Sequence, residues 1–137
     1  MKPERYVTLQ KGVCIYDVLA LLPFALPFVN VQHLATMGQV NGLLGGDVWP
    51  VFDPIQLMMV QLLGVIGTGW TVWRWRNVSR EIGVFEGGLR LWVTATLLWA
   101  FAQVGQPLLL VFAGIDVVFG AALLMGLRLR EIQPTTV

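Results

Sequence analysis

Asp17, Glu86, Arg90 and Asp116 each fall inside a long apolar run of a 137-residue chain that is 56% hydrophobic and only 12% charged. A charged side chain buried in a membrane is costly, so it marks either a partner or a function. Glu86 and Arg90 are four residues apart, the spacing at which a carboxylate and a guanidinium meet on one helix face. Asp17 lies near the cytoplasmic end of the first run, Arg90 at a similar depth in the third, and Asp116 near the middle of the fourth. At helical rise Asp116 is roughly 12 Å from the outer end of its run. Arg90 is long enough to reach Asp17, Glu86 or Asp116 if these runs pack together. Two kinds of chemistry are open to such a cluster. It can be a structural ion network that locks helix packing. It can instead be the polar floor of a cavity for a headgroup, a quinone carbonyl or a proton. A protonated Asp116 sharing a hydrogen bond with Gln61, Thr94 or Thr96 fits either case. The candidate ligand-binding residues are therefore Asp17, Glu86, Arg90, Asp116 and Gln61.

Other chemistries find too few residues. A second polar group, Asn30, Gln32, His33, Asp53, Gln56 and Gln103, lies toward the opposite face. His33 is the single histidine, which excludes bis-histidine haem and makes at best a weak metal pair with Asp53. Asp53, followed by Pro54, reads as a helix cap with proline at the first helical position. Cys14 is the single cysteine, so no disulfide closes within the chain, and a buried, inert thiol is expected. No nucleophile–base pair and no metal set is visible, so neither haem nor metal is expected and no catalytic residue is assigned.

Four apolar segments must position these residues: about 13–33, 55–75, 84–103 and 108–127. Each is about 20 residues, enough to cross the hydrocarbon as a helix. All nine Lys and Arg lie in or beside the two terminal regions and the connection between the second and third segments. Lys2, Arg5 and Lys11 precede the first segment, Arg74, Arg76, Arg80 and Arg90 cluster between the second and third, and Arg128 and Arg130 follow the fourth. The connections Gln32 to Pro54 and Gln103 to Pro107 contain none. Short loops rich in Lys and Arg stay cytoplasmic. The reading is an all-α integral membrane four-helix bundle, a single four-span domain over 1–137, in the cell inner membrane with both termini cytoplasmic. The basic start and apolar run imitate a secretory signal, but Asp17, Pro23 and Pro27 and the lack of a small-x-small site predict that the segment is retained.

Details of the segments sharpen the expectation. Pro23 and Pro27 predict a kinked or broken first helix, shielded by protein or facing a cavity. The loop from Leu34 to Asp53 mixes glycines with large apolar residues and is expected to fold onto the membrane surface, with a short helix near Ala35 to Leu44 and Trp49 as anchor. Gly64, Gly67 and Gly69 offer a close approach to a neighbour. Trp70, Trp73 and Trp75 alternate with Arg74 and Arg76 as an interfacial girdle. The third and fourth segments must form a tight hairpin, with Pro107 opening the fourth. Gln133 to Val137 reads as a frayed tail.

Several four-span families are excluded by their residues. Disulfide-generating and quinone-reducing thiol enzymes need paired cysteines. Small multidrug exporters carry a mid-span acid, whereas Asp17 is near one end. Dual-topology fluoride channels lack this charge bias, and the dense Arg/Glu/His/Asn motif of membrane glutathione transferases is missing. The layout resembles the DoxX-like class of small bacterial four-span proteins in three local features. These are Leu21-Leu22-Pro23-Phe24-Ala25-Leu26-Pro27 in the first segment, Val51-Phe52-Asp53-Pro54 before a glycine-containing second segment, and Glu86 with Arg90 opening the third. Some members of that class resemble quinone-linked or redox-stress membrane subunits, so the resemblance implies a lipid-like or quinone ligand.

Three functions remain open. The first is a non-catalytic accessory subunit or lipid- or quinone-binding bundle, with the bilayer and another membrane protein or a second copy as partners and no nucleic acid. The second is a membrane enzyme acting on a lipid or quinone, with Asp116 or Asp17 as base and Arg90 holding an oxygen. The third is a small oligomeric transporter. The first is preferred because no catalytic constellation is present.

Overall fold

The computed structural model describes residues 3–129. Lys2, Arg130 and the tail Gln133 to Val137 lie outside the described residues. Five α-helices follow in order: α1 Pro3–Ala25, α2 Val29–Leu43, α3 Pro54–Arg76, α4 Arg80–Val104 and α5 Pro107–Leu124. A short 3-10 turn, Met125–Arg128, extends α5. No strand occurs among the described residues.

The segment expected over 13–33 is divided. α1 begins at Pro3 and accepts Pro23 in its interior, but it stops at Ala25. Pro27 has no N–H to give to the preceding turn, and its ring disfavours the helical conformation of Leu26. The chain turns through Phe28, whose φ of 65° is left-handed, and restarts as α2. The loop expected over 34–53 is thus helical as far as Leu43 and irregular only beyond it.

The other boundaries follow their local signals. Asp53 Oδ1 accepts from the N–H groups of Ile55 (2.8 Å) and Gln56 (2.9 Å), while Gln56 Oε1 accepts from the Asp53 N–H at 3.0 Å. This reciprocal box, with Pro54 in the first turn, fixes the start of α3. Ser79 Oγ caps α4 by accepting from the Ile82 N–H at 3.2 Å. Gly105 ends α4 with a left-handed φ of 64°, and Pro107 opens α5 immediately afterwards. The predicted tight hairpin results.

The helices associate as two pairs. α1 lies along α3, and α4 lies along α5, with fewer approaches between the pairs. Small residues make each pair close. A Cβ on Gly87 would sit 3.0 Å from the Gly120 carbonyl oxygen, and one on Gly64 would sit 2.5 Å from the Ala25 nitrogen. Gly67 faces Leu21, whereas Gly69 meets nothing within 4 Å and takes no part in packing. Tyr6, fully buried, links the pairs at one end by donating to the Leu123 carbonyl at 2.7 Å.

α2 covers the opposite end through Asn41. Its Nδ2 donates to the Asp47 carbonyl at 2.7 Å and to Gln106 Oε1, and its Oδ1 accepts from the Leu108 N–H at 3.0 Å. The last bond satisfies a helix-start donor of α5 that its own N-cap, Gln106, leaves open.

Polarity is distributed opposite to that of a water-soluble fold. Leu19 is 70% exposed and Trp92 75%, whereas Asp17 is 6% exposed and Arg90 7%. Three helical segments, Pro3–Ala25, Pro54–Arg76 and Pro107–Arg128, are long and apolar enough to cross a membrane. α4 is equally long, but Arg80, Glu81, Glu86 and Arg90 occupy its first three turns.

Candidate functional site

Each of the four long helices sends charge to one point between the pairs. Asp17 comes from α1, Arg74 from α3, Glu86 and Arg90 from α4, and Asp116 from α5. Asp17 bridges both guanidiniums, with Oδ2 accepting from Arg74 and Oδ1 from Arg90. Glu86 Oε1 lies 3.0 Å from Arg74 Nη1 and 3.3 Å from Arg90 Nε. Its other oxygen accepts from the Trp70 indole N–H at 3.1 Å. Arg90 Nη1 donates to Asp116 Oδ1 at 2.5 Å, and the Arg90 guanidinium lies 5.5 Å from the centre of the Phe119 ring. Charges this deep persist only when paired and hydrogen-bonded. The pattern also explains the division of the fold: the pairs touch sparsely, and ions span the gap.

Asp17, Glu86, Arg90 and Asp116 are brought together, as their matched depths suggest. Arg74 completes the cluster and was missed, because its place among alternating Trp and Arg reads as part of an interfacial girdle. A signal for it does exist. Gly64, Gly67, Thr71 and Arg74 recur at helical spacing, and Gly64, Thr71 and Arg74 are the buried residues of α3, whereas Trp73, Trp75 and Arg76 face outward.

Gln61 does not join. It lies on the same helix as Arg74 but about 20 Å away at 1.5 Å per residue. The hydrogen bond envisaged from Asp116 to Gln61, Thr94 or Thr96 is also not made. Thr94 donates to the Arg90 carbonyl at 2.9 Å and Thr96 to the Trp92 carbonyl at 3.1 Å, each bonding back within its own helix. Asp116 takes Arg90 instead, the stronger partner in a low-dielectric setting.

The cluster forms one end of a cavity of about 490 Å³, within the usual range for small-molecule sites. Leu21, Phe24, Leu97 and Phe112 give it apolar walls, and His33 and Met37 of α2 line its far end. His33 packs edge-on against Phe24 at 4.7 Å between ring centres. Among the described residues no group of His, Cys, Asp and Glu could hold a metal ion. Asp53 and Gln56 cap α3, and the polar residues that organise this end are Asn41 and Gln106, outside the group singled out in the sequence. Cys14 is free and buried.

Two guanidiniums face three carboxylates, which leaves one negative charge unmatched when all are ionised. Asp116, with its side chain 17% exposed, is the most open of the five, and it lines the cavity. Asp17 and Glu86 each engage both arginines, which makes them anchors rather than bases. The arrangement sets fixed charges at one end of a cavity whose remaining walls are apolar.

No family model matches the chain, and no curated protein or solved structure is similar to it.

Proposed function

We propose that this chain is a small four-span protein of the cell inner membrane, with both termini cytoplasmic, whose interior holds a lipid-like or quinone amphiphile without transforming it. α4 serves as the remaining span, its buried charges neutralised by Asp17, Arg74 and Asp116. The observation that carries the ligand reading is the 490 Å³ cavity with apolar walls and an ionic floor. An amphiphile of the lipid or quinone class fits both parts: its polar head meets the guanidiniums and Asp116, and its tail lies along Leu21, Leu97 and Phe112. The resemblance of the sequence layout to the DoxX-like class, if it holds, implies the same ligand chemistry. Because such a bundle could serve as a subunit of a larger membrane assembly, the test must detect proteins as well as lipids.

Native mass spectrometry of the chain, gently solubilised from its own membrane, provides that test. One quinone or lipid species at fixed stoichiometry, lost on Phe112→Trp substitution within the cavity wall, is the expected result. A bare monomer retaining no amphiphile would overturn the ligand reading. Topology has its own check: a reporter inserted near Gly45 should behave as external and one fused after Val137 as cytoplasmic, and the reverse result would overturn the four-span arrangement.

A second reading, an enzyme acting on a lipid or quinone, is favoured by one observation: Asp116, the most exposed of the five charged residues, lines the cavity. It would require Asp116 to act as the base while Arg90 holds the substrate oxygen. Turnover of a retained quinone or lipid that vanishes in Asp116→Asn, with binding unchanged, would establish it.

A further inference from the structure

A second hollow, about 430 Å³, lies along the outside of the α1–α3 pair. Ile15, Val18 and Leu19 of α1 and Val72 of α3 line it, and Ile15, Leu19 and Val72 are exposed. The small side chains Cys14 and Thr71, both buried, lie behind these residues and leave the depression. At one end the groove meets Trp75 and Arg76. Lys11, one helical turn before Ile15, places its ammonium 5.7 Å from the centre of the Trp75 ring. Unlike Arg74 and Arg90, neither Lys11 nor Arg76 has a carboxylate within 4.0 Å among the described residues.

An apolar trough that ends at a tryptophan and two cations, neither with a carboxylate partner among the described residues, has the layout of a lipid: chains, interface, headgroup. We propose that this groove binds one anionic phospholipid, with its acyl chain along Ile15, Leu19 and Val72 and its phosphate between Lys11 and Arg76. Charge complementarity selects the anionic class, since a choline or ethanolamine headgroup would bring its own cation to the two already there. This site is separate from the interior cavity and has a different head chemistry. It rests on the reading that α1 and α3 cross a bilayer with this end at the cytoplasmic surface.

The test uses the purified full chain in a neutral maltoside detergent, mixed with equal amounts of phosphatidylglycerol and phosphatidylcholine of identical acyl chains. Native mass spectrometry reads the first lipid bound. Each basic residue near a headgroup is worth about five-fold in binding, so phosphatidylglycerol should be favoured by at least ten-fold. Combined Lys11→Ser and Arg76→Ser substitution should bring the two lipids to parity, while Arg5→Ser, on the same helix outside the groove, should leave the preference intact. Val72→Trp should fill the groove and reduce the first adduct with either lipid. Equal binding to the unaltered chain, or a preference that survives the double substitution, would overturn the proposal. Circular dichroism checks folding. Should the double variant unfold, Lys11→Gln alone should give an intermediate preference, and an unchanged ratio would be equally damaging. A chain that stays monodisperse without detergent would overturn the membrane reading itself, an outcome distinct from a micelle-bound chain that shows no lipid preference.

Discussion

Along the α4–α5 seam, Gly87 and Gly120 bring two backbones so close that a single added Cβ would touch the opposite carbonyl. Between the α1–α3 and α4–α5 pairs, by contrast, the ion pairs Asp17–Arg90 and Arg74–Glu86 cross a gap that side-chain packing leaves open, while Asp17–Arg74 and Arg90–Asp116 hold their ends within each pair. The first seam depends on short-range shape and the second on charge. Lipid tails are as apolar as the helix surfaces, so apolar burial does little to drive helices together in a bilayer. Close packing and internal polar bonds must supply the association. The ion pairs that cross the gap leave room for a cavity beside them.

The comparison can be broken most directly at Arg90. Arg90→Ala removes the group shared by Asp17, Glu86 and Asp116 and leaves buried carboxylates short of a cation. Removing one partner of a buried ion pair costs about 3–5 kcal/mol, and unfolding in mixed detergent followed by circular dichroism should show a loss of that order. Unchanged stability would mean that the pairs are not joined by their charges. At the other seam, Gly87→Val should cost about 1–3 kcal/mol through overpacking, with the purified protein retaining the proposed interior amphiphile if the ionic seam is independent. A loss of ligand equal to that caused by Arg90→Ala would show that the two seams act as one unit.

The remaining predictions sharpen the contrast. Asn41→Ala leaves the Leu108 N–H and Gln106 without their partner, and a buried unsatisfied group costs about 1–3 kcal/mol. Hydrogen exchange should then rise at the start of α5 while Arg90 and its neighbours stay protected. The smallest effect is expected for Asp116→Asn. It removes the unmatched negative charge, keeps a hydrogen-bond acceptor for Arg90, and should change stability by no more than about 1 kcal/mol. Asp17→Asn, which weakens bonds to two guanidiniums, should cost clearly more. Equal effects of the two substitutions would refute the distinction between an anchoring and an open carboxylate.

Local signals located much of this architecture. Asp53-Pro54 marks the start of α3 through bonds made within a few residues, and Pro107 marks the start of α5 through its fixed φ, so both are legible in the chain. The Glu86–Arg90 pair is legible for the same reason. Ser79 and Gly105, which begin and end α4 in the same local way, were not singled out. Pro23 and Pro27 announce a broken helix, but the break falls at Leu26 to Phe28 because the helix tolerates the first proline and not the second. Arg74 was hidden by its neighbours: three tryptophans and another arginine nearby resemble a membrane-surface belt, and only the buried stripe from Gly64 reveals its inward direction. Asn41 gave still less warning, since its partners at Gln106 and Leu108 are more than sixty residues away.

Composition and periodicity by themselves determined an all-helical chain with segments able to cross a membrane, the Asp53 cap, the hairpin between α4 and α5, and the presence of charges too deep to stand alone. These depend on local backbone geometry and on the cost of burying polarity, both of which act residue by residue. Tertiary structure alone decided which helices pair, that Arg74 turns inward while Arg76 turns outward, that Gln61 stays apart, and that a cavity opens beside Asp116. Those outcomes depend on the relative rotation and separation of helices distant in the chain, where a shift of one residue moves a side chain by about 100° around its axis.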